Sequence, residues 1–233
     1  MERIDKVISN QTLYSRKDVK DLIRSKRIVV NGKIITKSDI KISPEKDTIE
    51  IDGQHIEFKK YIYLMLNKPK GYISATEDRN MKTVLDLVPQ EYLYRDLFPA
   101  GRLDKDTTGL MIITDDGEFA HNILSPKKHI SKTYTVTIDI PITNDMINGF
   151  KNGVELNDGE CKSTILKETG TFKGTVILTE GRYHQIKRMF GCFGAKVLEL
   201  ERIKMGNFEL PSDLKVGECR EFTKEELTQV TTN

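Results

Sequence analysis

Apolar and polar positions alternate in short runs, and those runs divide the chain into elements of both kinds. Ser15-Arg16-Lys17-Asp18 sets a hydroxyl three residues ahead of an acid, the form of a helix capping box. Val19, Leu22 and Ile23 follow at i, i+3, i+4 spacing, which predicts an amphipathic helix ending near Lys26. Ile28-Val29-Val30, Asn31-Gly32 and Lys33-Ile34-Ile35 predict a hairpin, because Asn-Gly supplies the positive φ angles of a type I′ turn. Residues 48–53 read as another short strand and turn, and 61–66 as an apolar strand ended by Asn67-Lys68-Pro69-Lys70-Gly71. A short helix is predicted over 83–87, with Thr83 as its cap.

Further on, Met111-Ile112-Ile113-Thr114 predicts a buried strand, and Asp115-Asp116-Gly117 turns the chain into a helix through Phe119, His121 and Leu124, ended by Ser125-Pro126. From Lys132 to Ile138 the pattern has period two, with Tyr134, Val136 and Ile138 on one face. A helix is predicted over 142–150 and strands over 161–166 and 175–178. A strand breaks at Gly181, and a helix leaving it presents Arg182, His184, Gln185, Lys187 and Arg188 while burying Ile186, Met189 and Phe190. Residues 196–203 are strand-like, and a short tail helix follows. Strands and helices mix without a βαβα beat, so the expected class is α+β with a mostly antiparallel sheet.

The chain of 233 residues suits one large domain or two smaller ones. No apolar run nears the roughly 18 residues needed to cross a bilayer. Met1-Glu2-Arg3-Ile4-Asp5-Lys6 lacks the apolar core of a signal peptide. Cys161, Cys192 and Cys219 are odd in number and widely spaced, so they are expected as reduced core thiols of a cytoplasmic protein, without metal-ligand spacing. Net charge is only +2, so any nucleic-acid partner must be argued from where charge sits. Between Tyr14 and Lys41 there are nine basic residues (Arg16, Lys17, Lys20, Arg24, Lys26, Arg27, Lys33, Lys37, Lys41) against three acids (Asp18, Asp21, Asp39). That excess on one helix and hairpin suits tracking phosphates.

Candidate chemistry centres on Gly101-Arg102-Leu103-Asp104-Lys105-Asp106-Thr107-Thr108-Gly109-Leu110. Two acids and two hydroxyls lie just ahead of a rigid strand, where a polar site can be held in place; a turn bonding its own backbone would use the same residue types. Asp104-Lys105-Asp106-Thr107-Thr108 fits the D-x-D-x-T pattern of haloacid-dehalogenase-type phosphatases, but that family needs its apolar strand before the first Asp, not after it. An EF-hand loop would need flanking helices and a final Glu, and both are missing.

Arg3-Ile4-Asp5-Lys6, Ser15-Arg16, Leu22-Ile23 and Val30-Asn31-Gly32 resemble the S4 RNA-binding domain over residues 1–58, with Lys26 where that family usually has Gly. Gly101-Arg102-Leu103-Asp104 with Thr107-Thr108-Gly109-Leu110 resembles the catalytic motif of the pseudouridine synthases. Leu66-Asn67-Lys68-Pro69-Lys70-Gly71 before it, then Lys132-Thr133-Tyr134 and Gly181-Arg182-Tyr183-His184-Gln185-Ile186-Lys187-Arg188, fall in that family's order. Asp106-Thr107-Thr108-Gly109, Thr114-Asp115-Asp116-Gly117, Ser125-Pro126 and His129 look most like its ribosomal small-subunit branch.

The resemblance implies an S4-like module over 1–58 and a pseudouridine synthase catalytic domain over 61–233. It implies Asp104 as the carboxylate acting at the ribose, Arg182 as its cationic partner and Tyr134 against the flipped base. Arg102, Leu103, Lys132 and Leu200 are implied around the substrate pocket. RNA contacts are implied for Arg3, Ser15, Arg16, Lys17, Lys20, Arg24, Lys26, Arg27 and Lys33, and for His184, Gln185, Lys187 and Arg188. The reaction is an isomerisation, so no cofactor and no metal is expected. The expected partner is small-subunit ribosomal RNA, naked or in an assembly intermediate, with the protein a monomer and no membrane involved. A large-subunit target, or an idle RNA-binding assembly factor on the same scaffold, are the alternatives.

Overall fold

Two groups of elements, each with its own apolar centre, account for the computed structural model, which describes residues 1–125 and 127–232. The first unit comprises residues 1–62 together with 88–97. Its helices are α1 (Ile4–Ser9) and α2 (Arg16–Arg24). Ser15 and Asp18 form the expected capping box at the start of α2. Strands β1 (Ile28–Val30), β2 (Lys33–Ile34), β3 (Ile49–Ile51) and β4 (Gln54–Ile56) make a four-stranded sheet in the order β2-β1-β3-β4. Asn31 and Gly32 have φ of 50° and 74°, as the hairpin turn requires. Lys26 also has positive φ, 58°, so a lysine takes the left-handed position at the end of α2. Ile4, Val7 and Ile8 of α1 meet Val19, Leu22 and Ile23 of α2 over Ile28, Val30, Ile49 and Ile51. Residues 88–97, which the family resemblance placed with the catalytic domain, cluster with this unit. Arg95 donates to the carbonyl oxygens of Asn10, Lys59 and Lys60 at 2.9, 3.1 and 2.7 Å.

The second unit holds residues 63–87 and 98–232 of the described chain. Its main strands are β5 (Tyr63–Lys68), β6 (Thr108–Thr114), β7 (Lys132–Ile138), β8 (Ile165–Gly170), β9 (Lys173–Leu178), β10 (Val197–Met205) and β11 (Cys219–Glu221). They lie in the order β8-β9-β7-β10-β6-β5-β11, with two short strands paired at its side. Only β10 and β6 run parallel among these neighbours. The sheet is therefore mixed and mostly antiparallel, as the pattern predicted. On one face Met65, Leu110, Ile112 and Met205 pack with Ala120 and Ile123 of α3 (Gly117–Leu124) and Val230 of α6 (Lys224–Val230). Pro126, read as ending α3, lies outside the described residues.

Three expectations differ from the structure. The strand expected over 161–166 begins only at Ile165. The amides of Cys161 and Thr164 instead donate at 2.9 Å to the carbonyls of Val154 and Phe150, so these residues follow the exit of α4 (Asn144–Asn152). The helix expected from Arg182 starts later, as α5 (Gln185–Gly191), because His184 stands in the left-handed conformation at its N-terminus. Cys161 is buried, but Cys192 is exposed and is no core thiol.

Register arranges the face opposite α3 and α6. Lys68 is paired with Gly109, Gly109 with Arg202, Arg202 with Tyr134, and Tyr134 with Val176, one row across five strands. The glycine in that row is required twice over. Its φ is 95°, and a Cβ there would stand 2.3 Å from the carbonyl oxygen of Arg202.

Candidate active site

The loop carrying Asp104 runs from Gly101 into β6 and is held from behind by residues 68–74. The Ser74 hydroxyl accepts from the Leu103 amide at 2.9 Å and donates to its carbonyl at 2.8 Å. The Gly71 amide donates to the Lys105 carbonyl at 2.8 Å. Lys68, wholly buried at the end of β5, donates its ammonium to the carbonyls of Thr107 at 2.8 Å and Asp104 at 3.0 Å, with Pro69 at 3.2 Å. Burial pushes this amine down to about 8, while Asp106 and Asp104 oppose the shift. Lys68 thus fastens the backbone from Asp104 to Thr107, a role the pattern reading of the residues missed. The signal available was a cation ending an otherwise apolar strand.

The Asp104 carboxylate meets α5. Nζ of Lys187 lies 2.9 Å from its Oδ2, and Nε2 of His184 lies 3.4 Å from its Oδ1. Lys187 also reaches Oδ1 of Asp106 at 2.5 Å, so one ammonium bridges both acids of the motif. The hydrogen bond from Lys187 holds the Asp106 carboxyl below the usual carboxylate range.

The expected pair of Arg182 with Asp104 is not formed. Arg182 lies in the turn before α5 and sends its guanidinium to the carbonyls of Gly159 and Glu160, at 2.8 and 2.5 Å. Lys187, expected only as an RNA contact, is placed by the helix to meet Asp104 instead. Gln185, also expected at RNA, is buried; its Oε1 accepts from the Arg182 amide at 3.0 Å and its Nε2 donates to Glu180 at 2.7 Å. Arg188 forms a two-armed pair with Asp158.

Of the residues the resemblance implied at the pocket or the base, Leu103, Lys132, Tyr134 and Leu200 are buried, while Arg102 is exposed. Burial, assisted by Arg202, pushes the Lys132 amine down to about 8. Arg202 is a second residue that pattern reading passed over: 2% exposed, it donates Nε to the Leu110 carbonyl at 2.7 Å and leaves Nη2 without a partner. It lies on the same row as Tyr134 and Gly109. Its signal was a basic residue set next to Ile203 at the end of the strand-like run 196–203.

In the first unit, Arg16, Lys17, Lys20, Lys26 and Lys33 are exposed and make no ion pair among the described residues. Arg3, Arg24 and Arg27 are instead paired with Asp5, Asp21 and Asp52. Ser15 is engaged as the helix cap.

Comparison with known proteins bears on this arrangement. A family model described as RNA pseudouridylate synthase matches residues 62–191, and an S4 domain model matches residues 2–49. The chain is 40% identical over 231 residues to ribosomal small subunit pseudouridine synthase A of Yersinia pestis, covering 98% of this chain and 97% of that protein. It is 39% identical over 231 residues to the protein of the same name in Escherichia coli strain K12, covering 98% and 99%. An uncharacterized RNA pseudouridine synthase of Bacillus subtilis is 40% identical over 230 residues, covering 97% and 96%. A crystal structure of a pseudouridylate synthase superimposes with a TM-score of 0.70 at 34% identity, over 99% of this chain and 100% of that one. With its motif acid in a buttressed loop and both family models matched in order, the chain belongs to the RNA pseudouridylate synthase family and carries an S4 domain ahead of the synthase fold.

Proposed function

We propose that this isomerase converts uridine to pseudouridine in small-subunit ribosomal RNA, with Asp104 as the carboxylate that acts at the ribose. The observation that carries the reading is the Lys187–Asp104 pair at 2.9 Å, in a loop whose backbone is fastened on both sides of the acid by Lys68 and Ser74. In the reaction the N1–C1′ bond breaks, the base turns over, and a C5–C1′ bond forms. The proton leaves C5 and N1 gains one, so the product is an isomer and no redox partner enters. An ionised carboxylate serves either route to bond cleavage, by adding to C1′ or by taking a proton from C2′. Lys187 stabilises that anion and fixes its orientation. Tyr134, on the row that also holds Gly109 and Arg202, is assigned to lie against the extruded base, and Leu200 and Leu103 to wall the pocket. The first unit, through Arg16, Lys17, Lys20, Lys26 and Lys33, is assigned the phosphate contacts. The 40% and 39% identity to two small-subunit synthases supports the target RNA.

Tritium release from ribosomal RNA labelled at uridine C5 tests the assignment, with separate unmodified small- and large-subunit RNAs as substrates. Release from small-subunit RNA alone, abolished in Asp104→Ala while RNA still binds, is the expected result. Release from large-subunit RNA alone would overturn the target. Undiminished release by Asp104→Ala would remove the carboxylate from its role.

A further inference from the structure

The most exposed aromatic side chain among the described residues is Tyr183, at 75%. A single exposed aromatic has no meaning by itself. This one stacks on the imidazole of His184, ring centroids 3.8 Å apart and planes 18° apart. That same imidazole stands 3.4 Å from the carboxylate of Asp104. The two rings therefore form a short stack that begins at the acting carboxylate and ends in solvent.

The turn beneath them is tied down at every point. Gln185, itself buried, holds the Arg182 amide and Glu180; Arg182 is anchored on the carbonyls of Gly159 and Glu160; the Tyr183 carbonyl accepts from Arg188 at 3.1 Å. His184 sits in the left-handed conformation, φ 49° and ψ 32°, which presents its ring beside its neighbour's rather than along the helix. A flat ring on an immobilised backbone needs little further ordering when a ligand stacks on it.

We propose that Tyr183, backed by His184, is a stacking platform for a nucleobase of the single-stranded RNA next to the target uridine. The proposal rests on the reading of Asp104 as the carboxylate that acts on that uridine. When a uridine leaves its stack, its neighbour loses a partner, and an aromatic face at the rim of the pocket replaces it. Stacking of this kind accepts any base, so the platform contributes affinity and register rather than base identity.

The chain contains no tryptophan. Tyr183→Trp in the full chain therefore creates a single reporter at the platform, and Phe172→Trp creates a control at another exposed aromatic, 46% exposed. Each is titrated with a short oligouridylate and with an abasic ribose-phosphate strand of the same length. Quenching at position 183 by the base-bearing strand, several-fold beyond that by the abasic strand and absent at position 172, is expected. Equal quenching by both strands, or none where the oligouridylate demonstrably binds, overturns the platform. In tritium release from small-subunit RNA, Tyr183→Leu should raise KM about tenfold more than Tyr183→Phe does; an effect confined to kcat also overturns the proposal. Base-dependent quenching without tritium release would sustain the platform and sink the small-subunit assignment. Release without quenching would do the reverse.

Discussion

Lys187 stands closer to Asp106, at 2.5 Å, than to Asp104, at 2.9 Å. The second acid of the motif therefore anchors the cation that the first acid uses. A lysine ammonium is a point charge on a flexible stem, and two anchors hold it where one would leave it free to rotate. Lys187→Met should lower the single-turnover rate of tritium release on the order of a hundredfold, comparable with loss of one preorganised charge-stabilising donor. Asp106→Asn, which weakens the anchor but leaves the pair, should cost roughly tenfold or less. Equal rates for Lys187→Met and the parent would exclude Lys187 from the chemistry.

Ser74 is the lightest part of the splint behind the loop, and removing it isolates positioning from chemistry. Ser74→Ala deletes two hydrogen bonds to Leu103 without touching Asp104, at a stability cost of about 1–3 kcal/mol. We expect a several-fold fall in kcat with RNA affinity unaltered, read by tritium release and filter binding. Ser74→Thr, which keeps the hydroxyl, should recover part of the rate.

Lys132 makes a pH-dependent prediction with a fixed sign. Its pKa falls from 10.5 in the unfolded chain to about 8 in the folded protein, so between these values the unfolded state binds the extra proton. Stability therefore rises as pH climbs from about 8 to 10.5, and the cost of the buried charge is fully present below 8. In Lys132→Met that rise should shrink by up to about 3 kcal/mol, measured by urea unfolding across the window. An identical pH profile in the variant would show that Lys132 is not the group responsible.

The free cations of the first unit should behave as a phosphate-tracking surface. Each of Lys17→Ala, Lys20→Ala and Lys33→Ala is expected to reduce the slope of log affinity against log salt by about 0.7–0.9. Arg24→Ala, whose guanidinium is already paired with Asp21, should change it less. Slopes that do not separate these two groups would argue against the assignment.

The fold class, the hairpin at Asn31-Gly32, the cap at Ser15 and the alternation of β7 were legible in the sequence because each is set by local spacing. The partner of Asp104 was not. Arg182 and Lys187 differ by five residues, and which one reaches the carboxylate depends on where α5 begins. That start is set by a left-handed His184 and by Gln185 bonding backward, neither of which leaves a periodic trace. Lys68 and Arg202 were missed for a related reason. Pattern reading assigns a charged residue to the surface, and their burial follows only from strand pairings made across 41 and 93 positions of the chain to Gly109.

The parallel pairing of β6 with β10 has a consequence for biosynthesis. Thr108 is paired with Glu201, so the strand that leads out of the acid-bearing loop waits for a neighbour made much later, and β5 waits longer still for β11. Contacts this distant in the chain form slowly, because closing the loop precedes any gain from the pairing. A nascent chain ending near residue 195 would already contain Asp104, Tyr134 and Lys187, yet β7 and β6 would lack the strand between them. The carboxylate is thus made early, and the sheet beside its loop is completed only once β10 has been made.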